Sequence, residues 1–247
     1  MSGHSKWATT KRKKAKIDSA RAKVFNRVIR ELTVAARMGG SDPEGNPRLR
    51  AAMLKAKACN MPAKNIETAV AKGAGELEGV HYSEITYEGY GPAGTAIMVD
   101  TMTDNKVRTV AEIRHIFSKH GGNVGAEGAV AWMFKSKGVI TLAKDAISED
   151  ALFELATESG AEDLDSSGSE YEIKVDPEHF HGLVEALEKK GLKPLTSEVV
   201  KIADNMVKVT GEDAEKVLAI LEALDEQDDV QNVHTNAEFD QKELENL

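Results

Sequence analysis

Near residue 80 the spacing of the apolar side chains changes period, and that change divides the chain into two kinds of structure. Before it, Val24, Phe25, Val28, Ile29, Leu32 and Ala36 recur at intervals of three and four, the pattern of one buried helix face. Asp18 or Ser19 can cap this helix, and Gly39-Gly40 stops it. Asn46 followed by Pro47 opens a second helix, with Leu49, Met53, Leu54 and Ala58 as its apolar stripe. Asn60 can cap a third that begins near Pro62, turns Ile66, Ala69 and Val70 inward, and has Gly73 and Gly75 beyond its end. Three short helices with brief connections predict a compact bundle.

After residue 80 the pattern is that of strands alternating with helices. Glu84 to Tyr90 alternates, GPAG turns the chain, and Thr95 to Thr101 is a more buried strand. Asp104 or Asn105 caps a helix that runs to about His120, with Val107, Val110, Ile113, Ile116 and Phe117 inward, followed by a strand-like stretch through Trp132 to Phe134. Residues 139–143, 149–159, 162–164, 171–175, 177–190 and 197–203 then form a β-α-β-β-α-β series, the ferredoxin-like order. A strand at 206–210, a helix at 212–226 and a strand at 230–235 close the chain. The segments on either side of the series each leave a helix-covered sheet incomplete, so they are expected to pair. The predicted class is α+β: a basic three-helix bundle (1–78), a discontinuous ferredoxin-like α/β domain (79–137 plus 204–240), and a second ferredoxin-like domain (138–203) inserted in the first.

Charge follows the same division. Residues 1–72 carry 17 Lys and Arg against 5 Asp and Glu, a net +12, whereas the remainder carries 15 against 36, a net −21. Surfaces without a polyanionic partner intersperse the two signs, so this segregation points to nucleic acid or an acidic surface meeting the front of the chain. An acidic body would repel a phosphate backbone from the other side. The densest signal is the stretch from His4 to Arg30. His4, Lys6, Trp7, Lys11, Arg12, Lys13, Lys14, Lys16, Arg21, Lys23, Arg27 and Arg30 interleave cations with an aromatic ring, and Arg48 and Arg50 follow on the second helix. Cations supply salt-dependent phosphate binding, and Trp7 can stack on a base or anchor the arm to the bundle.

Other chemistries lack their residues. Gly89, Gly91 and Gly94 spell G-x-G-x-x-G, but they open onto a strand-like run rather than a helix, so a hairpin turn is expected. His115 and His120, like His179 and His181, are wrongly spaced for one helix face, and Cys59 has no nearby partner. No catalytic residues, metal site or cofactor are predicted. Cys59 is the sole cysteine, which excludes an internal disulfide and fits a reducing compartment. No apolar run is long enough for a membrane span, and the polar start lacks a secretion signal. A cytoplasmic monomer with no membrane partner is expected.

Several long strings carry a family resemblance. MSGHSKWATTKRKKAK, IRELTVAARMGG, NPRLR, NMP, KGAGE, YEGYGPAGTAIMVD, TDNKVRTVAEIRHIFSKHGGNVG and DDVQNVHTN resemble the YebC-type family over nearly the whole chain. The resemblance implies a helical N-terminal domain followed by two α/β domains, and DNA-binding transcriptional regulation. That is the role usually given to bacterial members, and related proteins offer an alternative on the ribosome. Mitochondrial relatives activate synthesis of a respiratory-chain subunit, and bacterial ones are linked to ribosomes stalled on proline-rich sequences. The implied partner is thus DNA or ribosomal RNA, with the ribosome itself as a candidate, and no catalytic residues come with the family.

Overall fold

The computed structural model describes residues 18–240, with side chains from residue 22 onward. Three helices come first: α1 (Asp18–Gly39), α2 (Pro47–Ala58) and α3 (Ala63–Ala74). Their common core is Leu32, Ala35, Ala36, Leu49, Ala52, Ala56, Met61, Ile66 and Ala69. Buried Asn46 joins two of them. Its Oδ1 accepts from Leu49 N (3.1 Å) as the α2 cap, while its Nδ2 donates to the carbonyls of Ala35 and Gly40 at the end of α1 (both 2.8 Å). α3 crosses α1 at Gly73, where an added Cβ would stand 2.3 Å from Thr33 O and 2.8 Å from Ala36 Cβ. Only a residue without a side chain permits that approach.

Several local expectations need correction. Gly73 lies within α3 and not beyond its end, and Val24 and Ala58, expected on buried faces, are exposed. Asn60 is not a cap: it sits at φ 57° in the connection, and Pro62 precedes α3. Leu54 is 62% exposed, because Leu49, Ala52 and Ala56 set the buried phase of α2 and leave position 54 on the far side. Val107, expected inward, is 78% exposed for the same reason, its helix turning Thr109, Ile113 and Phe117 to the core.

The body contains two four-stranded antiparallel sheets. β1 (Ser83–Tyr90) and β2 (Ala96–Thr103) form a hairpin around a short 3-10 turn at Pro92–Gly94, with Tyr90 opposite Ala96. The G-x-G-x-x-G string is therefore a hairpin turn. α4 (Lys106–Lys119) and a short β3 (Asn123–Val124) follow. The chain then makes β4 (Phe134–Ala143), α5 (Glu149–Glu158), β5 (Ala161–Asp165), β6 (Glu170–Val175), α6 (Pro177–Lys189) and β7 (Thr196–Ala203). These strands lie in the order β5-β6-β4-β7 over a core of Ile140, Leu142, Leu152, Ile173, Leu183 and Leu187. Last come β8 (Val207–Val209), α7 (Gly211–Glu226), β9 (Val230–Thr235) and β10 (Ala237–Phe239).

β9 returns to lie antiparallel beside β2, giving the sheet order β3-β1-β2-β9, while β8 and β10 pair separately in parallel. α4 and α7 close one face of the first sheet with Ile113, Phe117, Val217, Ile220, Leu221 and Leu224. This sheet opens with a hairpin, so its chain order differs from the split β-α-β series expected for it. Trp132 and Met133, expected to be strand-like, lie in a second 3-10 turn (Ala131–Met133), whereas Phe134 does open a strand, β4.

Candidate nucleic-acid interface

Of the residues singled out in the sequence, His4, Lys6, Trp7, Lys11, Arg12, Lys13, Lys14 and Lys16 lie outside the described residues, and only the backbone of Arg21 is described. Lys23, Arg27 and Arg30 follow one another at spacings of four and three on α1, hence on one face. That face meets the body. Arg27 donates through Nε to Val230 O (2.9 Å) and through Nη2 to Asp225 O (2.6 Å) and Asp225 Oδ1 (2.9 Å). Nη1 of Arg30 reaches Met102 O (3.0 Å), Asp228 O (2.6 Å) and Asp229 Oδ1 (2.9 Å), with the guanidinium 5.3 Å from the Tyr82 ring centre.

Arg48 on α2 forks between Glu31 of α1 (2.7 and 3.0 Å) and Glu84 of β1 (2.6 and 3.1 Å). Its hydrogen bonds to Glu31, then to Glu84, raise its pKa further above the ordinary guanidinium value. Three of the arginines expected at a phosphate backbone are therefore engaged inside the molecule. A phosphate would have to displace carboxylates and carbonyls that already hold them.

The Arg30 contact belongs to a larger knot. Asp229 lies in the connection from α7 to β9 and its side chain is 1% exposed. Oδ1 accepts from Arg30, and Oδ2 accepts from Arg108 Nη2 of α4 (2.8 Å), Thr103 Oγ1 (3.0 Å) and Thr109 Oγ1 (2.7 Å). Burial alone would raise the pKa of this carboxyl. Hydrogen bonds from Thr109, Arg108 and Thr103, with the Arg30 charge, outweigh it and hold the group at about 2. One carboxylate thus joins α1, β2, α4 and the approach to β9.

The cations left facing solvent are different ones. Arg50 is exposed, its Nη1 3.3 Å from Pro43 O, and Lys23 is half-buried. Lys55, Lys57, Lys64 and Lys72 are exposed and, among the described residues, form no ion pair. These lysines were not singled out in the sequence. The available signal was helical phase, since on α2 they avoid the stripe of Leu49, Ala52 and Ala56. Trp132 was also missed: it is 70% exposed, with its indole Nε1 donating to Ala129 O (3.1 Å). Its loop is held by buried Glu88, which accepts from the backbone N–H groups of Gly128, Val130 and Ala131 (each 2.7 Å).

Among the described residues no cluster of His, Cys, Asp or Glu is arranged to hold a metal ion, and no helix is long and apolar enough to cross a membrane. Cys59 is half-buried, and its Sγ donates to Ala56 O (3.2 Å). The bundle and body described by this geometry correspond to two family models. The TACO1/YebC protein N-terminal domain matches residues 5–76, and the TACO1/YebC second and third domain matches residues 82–237. The chain belongs to the TACO1/YebC family. Members similar to it include a protein of Koribacter versatilis, 52% identical over 100% of this chain and 99% of the relative. Another, from Acidithiobacillus ferrooxidans, is 54% identical over 100% and 98%. Both are named "Probable transcriptional regulatory protein", a regulatory and not an enzymatic description. The crystal structure of a conserved hypothetical protein from Aquifex aeolicus, 46% identical, superposes with a TM-score of 0.83 over 92% of this chain and 94% of that one.

Proposed function

We propose that the chain is a nucleic-acid-binding regulator of gene expression, a DNA-binding transcriptional regulator that grips its target through the basic N-terminal unit. The observation that carries this reading is the charge separation, +12 in the first 72 residues against −21 in the rest. The exposed, unpaired lysines of α2 and α3 support it, because the bundle keeps cations free after Arg27, Arg30 and Arg48 are engaged with the body. The arm supplies Lys6, Lys11, Arg12, Lys13, Lys14 and Lys16 as phosphate contacts, with His4 and Trp7 beside them. The protein works in the cytoplasm as a monomer.

The fold serves this function as three units: a basic bundle (1–78), a discontinuous α/β domain (79–137 plus 204–240), and an inserted ferredoxin-like domain (138–203). The insertion is supported by its closed ends, since Phe134 lies opposite Ala203 and Asp204 N donates to Met133 O (3.2 Å).

The test is binding of the full chain to DNA and to ribosomal RNA as salt is varied. If about six phosphates are contacted, a fourfold rise in salt weakens binding by roughly a thousandfold. Replacing Lys11, Arg12, Lys13 and Lys14 by Ala removes four contacts and lowers the salt slope by about 3.6. An unchanged slope excludes the arm as a main contact. The alternative function, a translation factor on the ribosome, rests on the suitability of an interleaved cationic and aromatic arm for irregular RNA. Co-sedimentation with ribosomes at low salt, with no preference for promoter DNA, would favour it.

A further inference from the structure

α2 has two apolar sides, and only one faces the core. Leu49, Ala52 and Ala56 are buried, whereas Ala51, Leu54 and Ala58 are exposed, with Leu54 62% open to solvent. At 100° per residue, the latter three form a narrow outward stripe opposite the core. Arg50 and Lys57 flank that stripe on one side, and Lys55 flanks it on the other, beside the engaged Arg48. Arg50, Lys55 and Lys57 are exposed and, among the described residues, make no ion pair.

A small, apolar ridge between two rows of cations is the cross-section that suits a helix lying in a nucleic-acid groove. Base edges and thymine methyl groups at the groove floor accept small and aliphatic side chains, while the phosphates of the two strands rise on either side. A helix with side chains is about 10–12 Å across, and the B-DNA major groove is about 12 Å wide. The A-form RNA major groove is too deep and narrow to admit it. A solvated helix with no partner would be expected to carry polar residues at the outward pole, where this one carries Ala51, Leu54 and Ala58.

We propose that α2 is the reading helix of the protein. It inserts into the major groove of duplex DNA with Ala51, Leu54 and Ala58 towards the base edges, Arg50 and Lys57 on one phosphate strand and Lys55 on the other. This rests on the proposed DNA-binding function and names the element that performs it. The arm then adds sequence-independent affinity, and Leu54 contributes discrimination.

The experiment measures binding of the full chain to a short mixed-sequence DNA duplex and to the RNA duplex of the same sequence, by fluorescence anisotropy across a salt series. Arg50→Ala/Lys55→Ala/Lys57→Ala should lower the salt slope on DNA by about 2.7 and weaken binding at least about tenfold at moderate salt. A control that removes as much charge from the exposed surface of the inserted sheet-and-helix unit, Lys189→Ala/Lys190→Ala/Lys193→Ala, should stay within about twofold of wild type. Leu54→Glu, at an exposed position where the fold does not need the side chain, should weaken DNA binding and abolish protection of guanine N7 from methylation. Circular dichroism checks that it stays folded.

The inference is overturned if the α2 triple variant behaves like the control while the arm variant loses affinity, an outcome that leaves the broader function standing. It is also overturned if Leu54→Glu leaves DNA binding and N7 protection unchanged, which would assign the ridge to another partner, or if wild type prefers the RNA duplex. Absence of wild-type binding to either duplex at low salt instead refutes the function on which it rests.

Discussion

Removing the charge of Asp229 should loosen the joint between the helical unit and the body more than any single surface change. In Asp229→Asn one oxygen becomes an amide nitrogen that cannot accept a hydrogen bond, so either Arg30 or the set of Arg108, Thr103 and Thr109 loses its acceptor. The carboxyl is held at about 2 against an ordinary 3.8. At about 1.4 kcal/mol per pH unit, this corresponds to about 2–3 kcal/mol of native-state stabilisation of the charged form. Arg108 is 43% exposed, so solvent screens its share and trims the figure to about 2 kcal/mol. The stranded donor adds about 1 kcal/mol, kept low because Arg30 retains the carbonyls of Met102 and Asp228.

Urea denaturation at neutral pH should therefore show a loss of about 3 kcal/mol. The sign with pH follows from the lowered folded value. The stabilisation is complete above 3.8 and disappears as pH falls towards about 2, so wild type and variant should converge over that interval. Asp104→Asn, which touches the same Arg108 at a 44% exposed position, serves as the control and should cost under about 1 kcal/mol. A variant within about 0.5 kcal/mol of wild type at neutral pH, or a difference that does not narrow below 3.8, would refute the reasoning.

Gly73→Ala should separate α1 from α3, because its Cβ would meet backbone at 2.3 Å; a loss of about 1–3 kcal/mol in thermal or urea unfolding is expected. Glu88→Gln should cost about 2–3 kcal/mol and speed amide hydrogen exchange at Gly128, Val130 and Ala131, whose N–H groups would face an amide in place of a carboxylate. Lys201→Met should weaken the tie between the two sheets. Lys201 Nζ of β7 donates to Asp100 of β2 (2.9 Å), and Asp100 also meets His234 Nε2 of β9 (3.1 Å). Burial opposes the charge on Asp100, but hydrogen bonds from His234 and Lys201 win and keep its carboxyl below the usual range. The contribution is thus full above the unfolded carboxylate pKa and lost as pH falls below it. Acid unfolding followed by circular dichroism should begin at higher pH in the variant.

The features readable in the sequence are those decided within a few residues. Asn46-Pro47 specifies a helix start because the cap and its acceptor groups are adjacent, and the β1–β2 turn is written in its own glycines. Pairing of β9 with β2 was foreseeable only as an incomplete sheet seeking its other half. Its partners, such as Val99 and Val233, are far apart in the chain, and no local rule sets their register. β10 is too short to alternate visibly. Leu54 and Val107 look like core residues to any count of apolar spacing, and only the helix phase set by their neighbours turns them outward. For the candidate interface, the sequence reveals the charge of an arginine but not what it faces. Arg27 and its Asp225 partner sit at opposite ends of the chain.

That blindness has a chemical pattern. The bundle residues that bridge to the body are arginines, and most of those left open on α2 and α3 are lysines. A planar guanidinium can satisfy carbonyls and carboxylates together, as Arg27, Arg30 and Arg48 do, whereas an ammonium on a flexible stem suits a diffuse field of phosphates. On the proposed function, the +12 segment would therefore do two jobs with two cations. Its inner arginines neutralise Asp225, Asp229 and Glu84, carboxylates that would otherwise stand against an approaching polyanion at the joint. Attachment to the acidic body and exposure of the lysines are consequently one arrangement. On the proposed function, loosening the joint would uncover negative charge beside the cationic face, so the body would limit where a nucleic acid can approach.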